Sequence, residues 1–458
     1  MHEKILAVEK FSAAFLLTCE NIFDRLQFNT SGNFSSRFKG VLKVKNFYPL
    51  RPIQRMLIDT HLKKAKSTMM NIGALMKLPS GVDMERLARA VNETLQAHDI
   101  FKCRLEFHPE TDELCQTFDS EPVHIEVKKI SDEEFEERVN KFKMPYKFIG
   151  NPLYRIYLFQ TPTAKYFYTD FYHATMDGTA SAILFAREVD LRYRGRNLKN
   201  IPKSYLQYVL EEVDLAADDL DESRSYWKKI LSKFDAKKNL PPVDVSGKKS
   251  WAKGTLKFTL KNIGEEFFRK SRRSEQTFFL AASMLTLAKI SGAKYSVVNF
   301  IHNGRNNPSE LRLMGLMLEK YPCAWNFDKD ISVEDFLNEL EGEIRKTKKF
   351  RKGLDVVYDE GLADDCATFI FQKDFIRDHV MIGDHTAQII DMPPNEISAA
   401  ENSLDIAVWS TERGTYDLVL DFDASRFSED NMKNFATVMD KIILTMQDGK
   451  ILISQILN

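Results

Sequence analysis

One histidine in this chain stands where an imidazole could move a proton. In Phe171-Tyr172-His173-Ala174-Thr175-Met176-Asp177-Gly178, a strand-like run from Lys165 ends at Tyr172 and delivers His173 into a short turn. Asp177 follows four residues later, then Gly178, then a helical pattern. An imidazole titrates near neutrality and can take a proton from an attacking amine or alcohol. Each residue also has an ordinary structural reading. His173 can hydrogen-bond to backbone at a strand end, Asp177 can cap a helix starting near Thr179, and Gly178 can permit a tight turn. Taken singly, the three residues do not choose between these readings.

The elements that must hold such a turn are legible from hydrophobic spacing. Asp83 is placed to cap a helix carrying Leu87, Val91 and Leu95. Strands are predicted over 102–107, 113–118, 153–160 and 165–172, with a charged helix over 131–142. After the turn, Ala182, Phe185, Ala186 and Val189 form one helical stripe, which Gly195 ends. The second half repeats the mixture. Helices are predicted over 205–213, 278–290 and from Met432 to Met446. Strands are predicted at 256–260, 295–301, 366–375, 403–409 and 416–422, with Gly414 in a hairpin turn. Two mixed α/β lobes follow from this alternation, with an active site expected in the crevice between them.

Composition narrows the class. The 458 residues are enough for two or three domains, and 43% are apolar, with 33 phenylalanines. The balance of 65 basic and 66 acidic residues gives a formal charge of −1, so neither nucleic acid nor an anionic membrane is an expected partner. The five cysteines (Cys19, Cys103, Cys115, Cys323 and Cys366) are scattered, with no CxxC pair. Free thiols in a cytoplasmic protein are the expectation, and no metal site is predicted. The apolar patch from Phe11 to Cys19 is too short to span a bilayer. There is no Walker loop, GxGxxG, HExxH or GxSxG.

His-x-x-x-Asp-Gly resembles the signature of the chloramphenicol-acetyltransferase-like superfamily. That group includes the condensation domains of nonribosomal peptide synthetases, alcohol acyltransferases and wax-ester synthases. Collateral matches run in the same order along the chain. Tyr48-Pro49-Leu50-Arg51-Pro52-Ile53-Gln54 is similar to the opening condensation motif, and Ala97-His98-Asp99-Ile100-Phe101-Lys102-Cys103-Arg104 to the second. Met144-Pro145-Tyr146 with Asn151-Pro152-Leu153-Tyr154-Arg155, then Tyr226-Trp227, resemble the following ones. Asn303-Gly304-Arg305 and Met314-Gly315-Leu316-Met317-Leu318 resemble a late pair. The resemblance covers roughly Val41 to Asn458. Three positions depart from the pattern: Tyr172 stands where condensation domains usually have a first histidine, Glu319 replaces an asparagine, and Ala97 an arginine.

The resemblance implies an α/β (α+β) fold of two chloramphenicol-acetyltransferase-like lobes, a pseudo-dimer with a cleft and tunnel between them. Residues 1–40 would be an N-terminal helical extension and linker, 41–200 the N-terminal lobe and 201–458 the C-terminal lobe. It implies a standalone acyltransferase with His173 as the catalytic residue. Asp177 would pair with an arginine (Arg305, Arg155 or Arg104) and hold the loop, and Gly178 would let backbone approach the thioester. Tyr172, Gln54, His98, Arg155, His302, Gly315 and Glu319 are candidates for the cleft. Ordinary structural roles compete for several of them: a helix end for His98, a turn for His302 and a solvated carboxylate for Glu319. The donor would be a phosphopantetheine thioester on a carrier protein acting in trans, or acyl-CoA, with no tightly bound cofactor. The acceptor would be a small amine or alcohol, and the chain monomeric, without stable membrane insertion. Loss of the first histidine favours a CoA-dependent alcohol O-acyltransferase as second reading. A non-catalytic carrier-recruiting domain is a third. The basic run from Arg345 to Lys352 reads as a solvated helix end, or less readily as a docking patch for an acidic carrier.

Overall fold

A computed structural model describes residues 45–139, 141–196, 198, 203–215, 220–246, 252–373, 379–390, 402–411 and 413–458. The extension expected over residues 1–40 lies outside them. Two six-stranded sheets dominate the described residues. In chain order their strands are β1 (Asn71–Leu78), β2 (Val127–Lys129), β3 (Tyr154–Gln160), β4 (Lys165–Tyr172), β5 (Lys253–Leu260) and β6 (Tyr295–His302). There follow β7 (Glu319–Asn326), β8 (Ala367–Gln372), β9 (His379–Ile382), β10 (His385–Ile390), β11 (Leu404–Ser410) and β12 (Tyr416–Asp423). The first sheet runs β9-β10-β1-β4-β3-β2 and the second β7-β6-β8-β11-β12-β5. A hairpin from late in the chain, β9–β10, thus completes the sheet begun by β1, with Ile389 opposite Met76. This two-lobed mixture of helices and mixed sheets is the fold class the sequence predicts.

Local signals explain the elements. β12 alternates buried and half-buried residues over Tyr416–Asp423, the period-2 pattern of a strand with one covered face. The helix α1 (Pro52–Lys63) starts with a proline at its first position, where no amide donor is lost. Asp83 caps α2 (Met84–Ala97) as its spacing predicts, accepting from Arg86 N at 3.0 Å. The helix α3 (Glu275–Ser291) is buried nearly all round, capped by Ser274 and ended by Gly292 in the left-handed conformation at φ +71°.

The two faces of the second sheet have different fates. Val298, Phe300, Phe369, Ile406 and Val408 face the core with Phe279 and Leu280 of α3. The strand registers put Ile301, Lys320, Thr368, Gln372, Asp405 and Trp409 together on the opposite face. That face turns toward the first lobe and lines a cavity. The first-lobe core also takes in residues from the second half, among them Leu313, Met314, Leu316, Met317, Ile382 and Ala387. Among the described residues, no helix is long and apolar enough to cross a membrane.

Candidate active site

The turn after β4 holds the histidine by backbone contacts on both sides. His173 N donates to Met70 O at 2.9 Å, just before β1, and Tyr172 N donates to Leu153 O at 2.9 Å. Met176 N folds back onto Tyr172 O at 3.1 Å, which closes the turn. Gln54 of α1 braces it from inside, its Nε2 donating to Ala174 O at 3.2 Å. The imidazole is half-buried, with Nδ1 3.2 Å from Met176 O. A carbonyl oxygen can only accept, so this contact puts the ring proton on Nδ1. The neutral ring then keeps its lone pair on Nε2.

Asp177 does not share in that chemistry. Its Oδ2 accepts from Arg305 Nη1 at 2.9 Å and Met317 N at 2.8 Å, and its Oδ1 from Ala180 N at 2.8 Å. Both members of the ion pair are buried, at 2% and 3% side-chain exposure. Arg305 is therefore the arginine on Asp177. Arg155 instead reaches Asp170 at 3.1 Å, and Arg104 donates to Cys103 O at 2.7 Å. Asp177 also accepts from the first turn of the helix that follows, Thr179–Phe185 in π geometry and then Ala186–Tyr193. The capping reading and the arginine-pairing reading of this aspartate hold together.

His173, Asp177, Gly178 and Thr179 line a cavity of about 610 Å³. Ile53, Met56, Leu57 and Ile72 of the first lobe add an apolar wall. The free face of the second sheet faces them with Ile301, Lys320, Thr368, Gln372, Asp405 and Trp409. Gly178 has helical dihedrals, φ −60° and ψ −38°, so a left-handed conformation is not its purpose.

The remaining cleft candidates lie elsewhere, and each has a physical reason. Tyr172 is fully buried, its ring stacked on Phe148 and its hydroxyl 2.9 Å from His61 Nδ1. It alternates away from His173 into the first-lobe core. Gln54 is buried behind the turn. His98 is buried with Nε2 3.1 Å from Glu188 Oε2. Arg155 belongs to the Asp170 ion pair. There, burial pushes the Asp170 carboxyl up to about 6 despite Arg155. Gly315, at φ +147°, packs against the Tyr205 ring and accepts from Asp177 N at 3.3 Å through its carbonyl.

His302 and Glu319 are opposite one another across β6 and β7, one residue out of phase with the cavity face. His302 Nδ1 accepts from Gly304 N at 3.1 Å, and its Nε2 is 3.0 Å from Lys348 Nζ. Burial, then Lys348 and Arg351, lowers this ring to about 4. Glu319 is buried rather than solvated, accepts from the Tyr321 hydroxyl, and is raised first by burial and then by Glu212. It lines a separate cavity of about 90 Å³ with Arg51, Glu212 and Arg351. The basic run ends in the same cluster, since Lys348 and Arg351 are partly buried there and not fully solvated.

Cavity residues that spacing did not single out include Ile72, Lys320, Thr368, Gln372 and Asp405. Period-2 counting from Arg305 back through Asn303 to Ile301 was the available signal, but the facing segments are remote in sequence. Among the described residues, no group of three or more His, Cys, Asp or Glu side chains is arranged to hold a metal ion. The described cysteines (103, 115, 323 and 366) are all buried and free.

A family model for the condensation domain matches residues 44–449. Surfactin synthase subunit 1 of Bacillus subtilis (strain 168) is 22% identical over 412 residues, 85% of this chain and 11% of that protein. The chain therefore spans only a small part of the curated relative it matches. The condensation domain from Monacolin K polyketide synthase MokA superposes with a TM-score of 0.71 at 17% identity, covering 89% of this chain and 99% of that one. A mutant starter condensation domain of rhizomide synthetase RzmA in complex with C8-CoA gives 0.68 at 14%, covering 89% and 96%.

Proposed function

The chain belongs to the condensation-domain family, and from that premise we propose that it transfers an acyl group from a thioester to an amine or hydroxyl, with His173 as the proton acceptor. The observation that carries this reading is the Nδ1 contact with Met176 O, which leaves Nε2 as the basic nitrogen of a ring lining a 610 Å³ cavity. The nucleophile would add to the thioester carbon as its proton passes to Nε2. Collapse of the tetrahedral species breaks the carbon–sulfur bond, and the imidazolium returns the proton to the departing thiolate. Amide or ester and free thiol are the products. The chemistry needs no Ser or Cys nucleophile and no covalent acyl-enzyme. Asp177 takes no part in proton transfer because its oxygens already accept from Arg305, Met317 and Ala180.

The donor thiol is a carrier-protein phosphopantetheine or CoA. The C8-CoA complex of the related rhizomide starter domain favours including CoA thioesters in any donor screen. CoA-dependent O-acylation of an alcohol is the second reading, supported by the unpaired position of His173 after Tyr172. The test is intact-mass screening of acyl-CoA and acyl-carrier donors against amines and alcohols, repeated with His173→Ala. Loss of general-base assistance is expected to slow transfer about 10²–10⁴-fold with carrier binding retained. Unchanged turnover in the variant would remove His173 from the mechanism.

A further inference from the structure

On the wall of the same cavity stands an ammonium group that no carboxylate pairs with among the described residues. Lys320 lies on the β7 face that turns toward His173, level with Ile301 of β6. Its Nζ donates to Asn402 Oδ1 at 3.1 Å. Asn402 Nδ2 donates in turn to Asp405 Oδ1 at 2.8 Å, which fixes the amide with its oxygen toward the lysine. The backbone of Lys320 is pinned from the other side, its carbonyl accepting from the Tyr358 hydroxyl at 2.8 Å. Among the described residues, no carboxylate forms an ion pair with Lys320. The neighbouring cations are matched: Lys373 with Glu275 at 2.9 Å and Arg305 with Asp177 at 2.9 Å. On the same face, the Thr368 hydroxyl is buried and has no hydrogen-bond partner.

Lysine normally sends its head group to bulk water. Here the ammonium is oriented by a neutral amide, in a recess walled by Leu318, Ile301 and Ile370. A charge beside low-dielectric walls interacts with an anion more strongly than it would in water. We propose that Lys320 is the seat for an oxyanion of a molecule bound in the His173 cavity. Two sources present that chemistry: a carboxylate on the acceptor, or the phosphate of the donor's pantetheine arm. The choice of these molecules rests on the acyl-transfer reading; the seat itself does not.

The experiment uses the full chain, Lys320→Gln and Lys320→Arg, each checked for an unchanged melting temperature. Donors are octanoyl-phosphopantetheine and octanoyl-pantetheine, which differ only in the phosphate. Acceptors are amino acids paired with their carboxamides. Lys320→Gln is expected to lower kcat/KM for the anionic member of one pair about 10-fold, as for loss of a charged hydrogen bond. The neutral member loses much less, and Lys320→Arg retains most of the preference. Loss confined to the acceptor pair assigns the carboxylate; loss confined to the donor pair assigns the phosphate. Equal effects on both members of both pairs overturn the proposal. Calorimetric binding of the same four kinds of probe is measured in parallel. If no acyl transfer is seen, a Lys320-dependent preference for an anionic probe retains the seat while the transfer reading falls, and no preference removes the seat too.

Discussion

Asp177 and Arg305 show how much of the site's order sits in one buried pair. The guanidinium also donates to Leu313 O at 3.0 Å, so it ties the histidine turn to the segment between β6 and β7. In Asp177→Asn, either amide orientation points an N–H₂ at an existing donor, because both oxygens already accept. The charge on Arg305 would also lose its buried counterion. Removing one partner of such a pair costs about 3–5 kcal/mol. Urea denaturation of Asp177→Asn is expected to show a loss of that size. The double variant Asp177→Asn/Arg305→Met is expected to lose less than the sum of the two single changes; strict additivity would mean the pair is not coupled. Tyr172→Phe makes a useful contrast. It removes a hydroxyl that meets His61 inside the core, so about 1 kcal/mol of stability should go while kcat stays. A large fall in kcat would mean that Tyr172 reaches the substrate.

At the scale of elements, the segment from His302 to Glu319 contributes Asn303 and Leu318 to the cavity lining, and a glycine lets its two ends pack together. Gly304 has φ +70°, and a methyl group there would collide with the Met317 carbonyl oxygen. Gly304→Ala is expected to destabilise the fold by more than the ~1 kcal/mol typical of a point mutation, since strained dihedrals and backbone overlap act together. A thermal melt unchanged from wild type would show that the segment is free to move aside. The same segment explains what could and could not be read beforehand. β12 alternates cleanly, and β3 and β11 do so over most of their length. β4 is an aromatic-rich run buried over its last six residues, and α2 carries its cap, so local signals found them. β7 escaped because Pro322 sits in its middle; the structure accommodates that proline by making β7 an edge strand. β10 escaped because its partner β1 lies some 300 residues earlier, and β9 pairs with β10 alone at the edge of that sheet. His173, Asp177 and Gly178 share the cavity because local spacing holds them together. Arg305 could be named as a partner for Asp177 but not chosen, since that needs three-dimensional proximity. Lys320 went unnoticed for the opposite reason to Glu319: adjacent residues on a strand face opposite ways, and the motif drew attention to the wrong one.

The whole molecule carries buried titratable groups whose signs oppose one another, and their windows differ. His61 and His302 are both lowered to about 4, the first by burial and the second by burial and then by Lys348 and Arg351. Both are neutral in the folded chain, whereas unfolded histidine takes up its proton near 6.5. Their contribution is present above about pH 6.5 and is lost as pH falls toward 4, because the unfolded state then binds more protons. Asp170, raised to about 6 by burial, works the other way. Between about pH 4 and 6 the folded chain holds its proton while the unfolded chain does not, so Asp170 lends stability as pH falls through that window. Glu319, also raised by burial, has the same sign. As pH falls below about 6.5 the histidines therefore withdraw stability, and the two carboxyls, with the opposite sign, soften that decline. His302 is the group to change, since its protonation would set two cations 3.0 Å apart at Lys348. In His302→Gln the unfolded chain has one fewer site to protonate, so the slope of unfolding free energy against pH should flatten below about 6.5. Urea titrations between about pH 7 and 5 read that slope directly. A variant as acid-sensitive as the wild type would mean that His302 is already solvated, and that the charged cluster behind the cavity wall stays open to water.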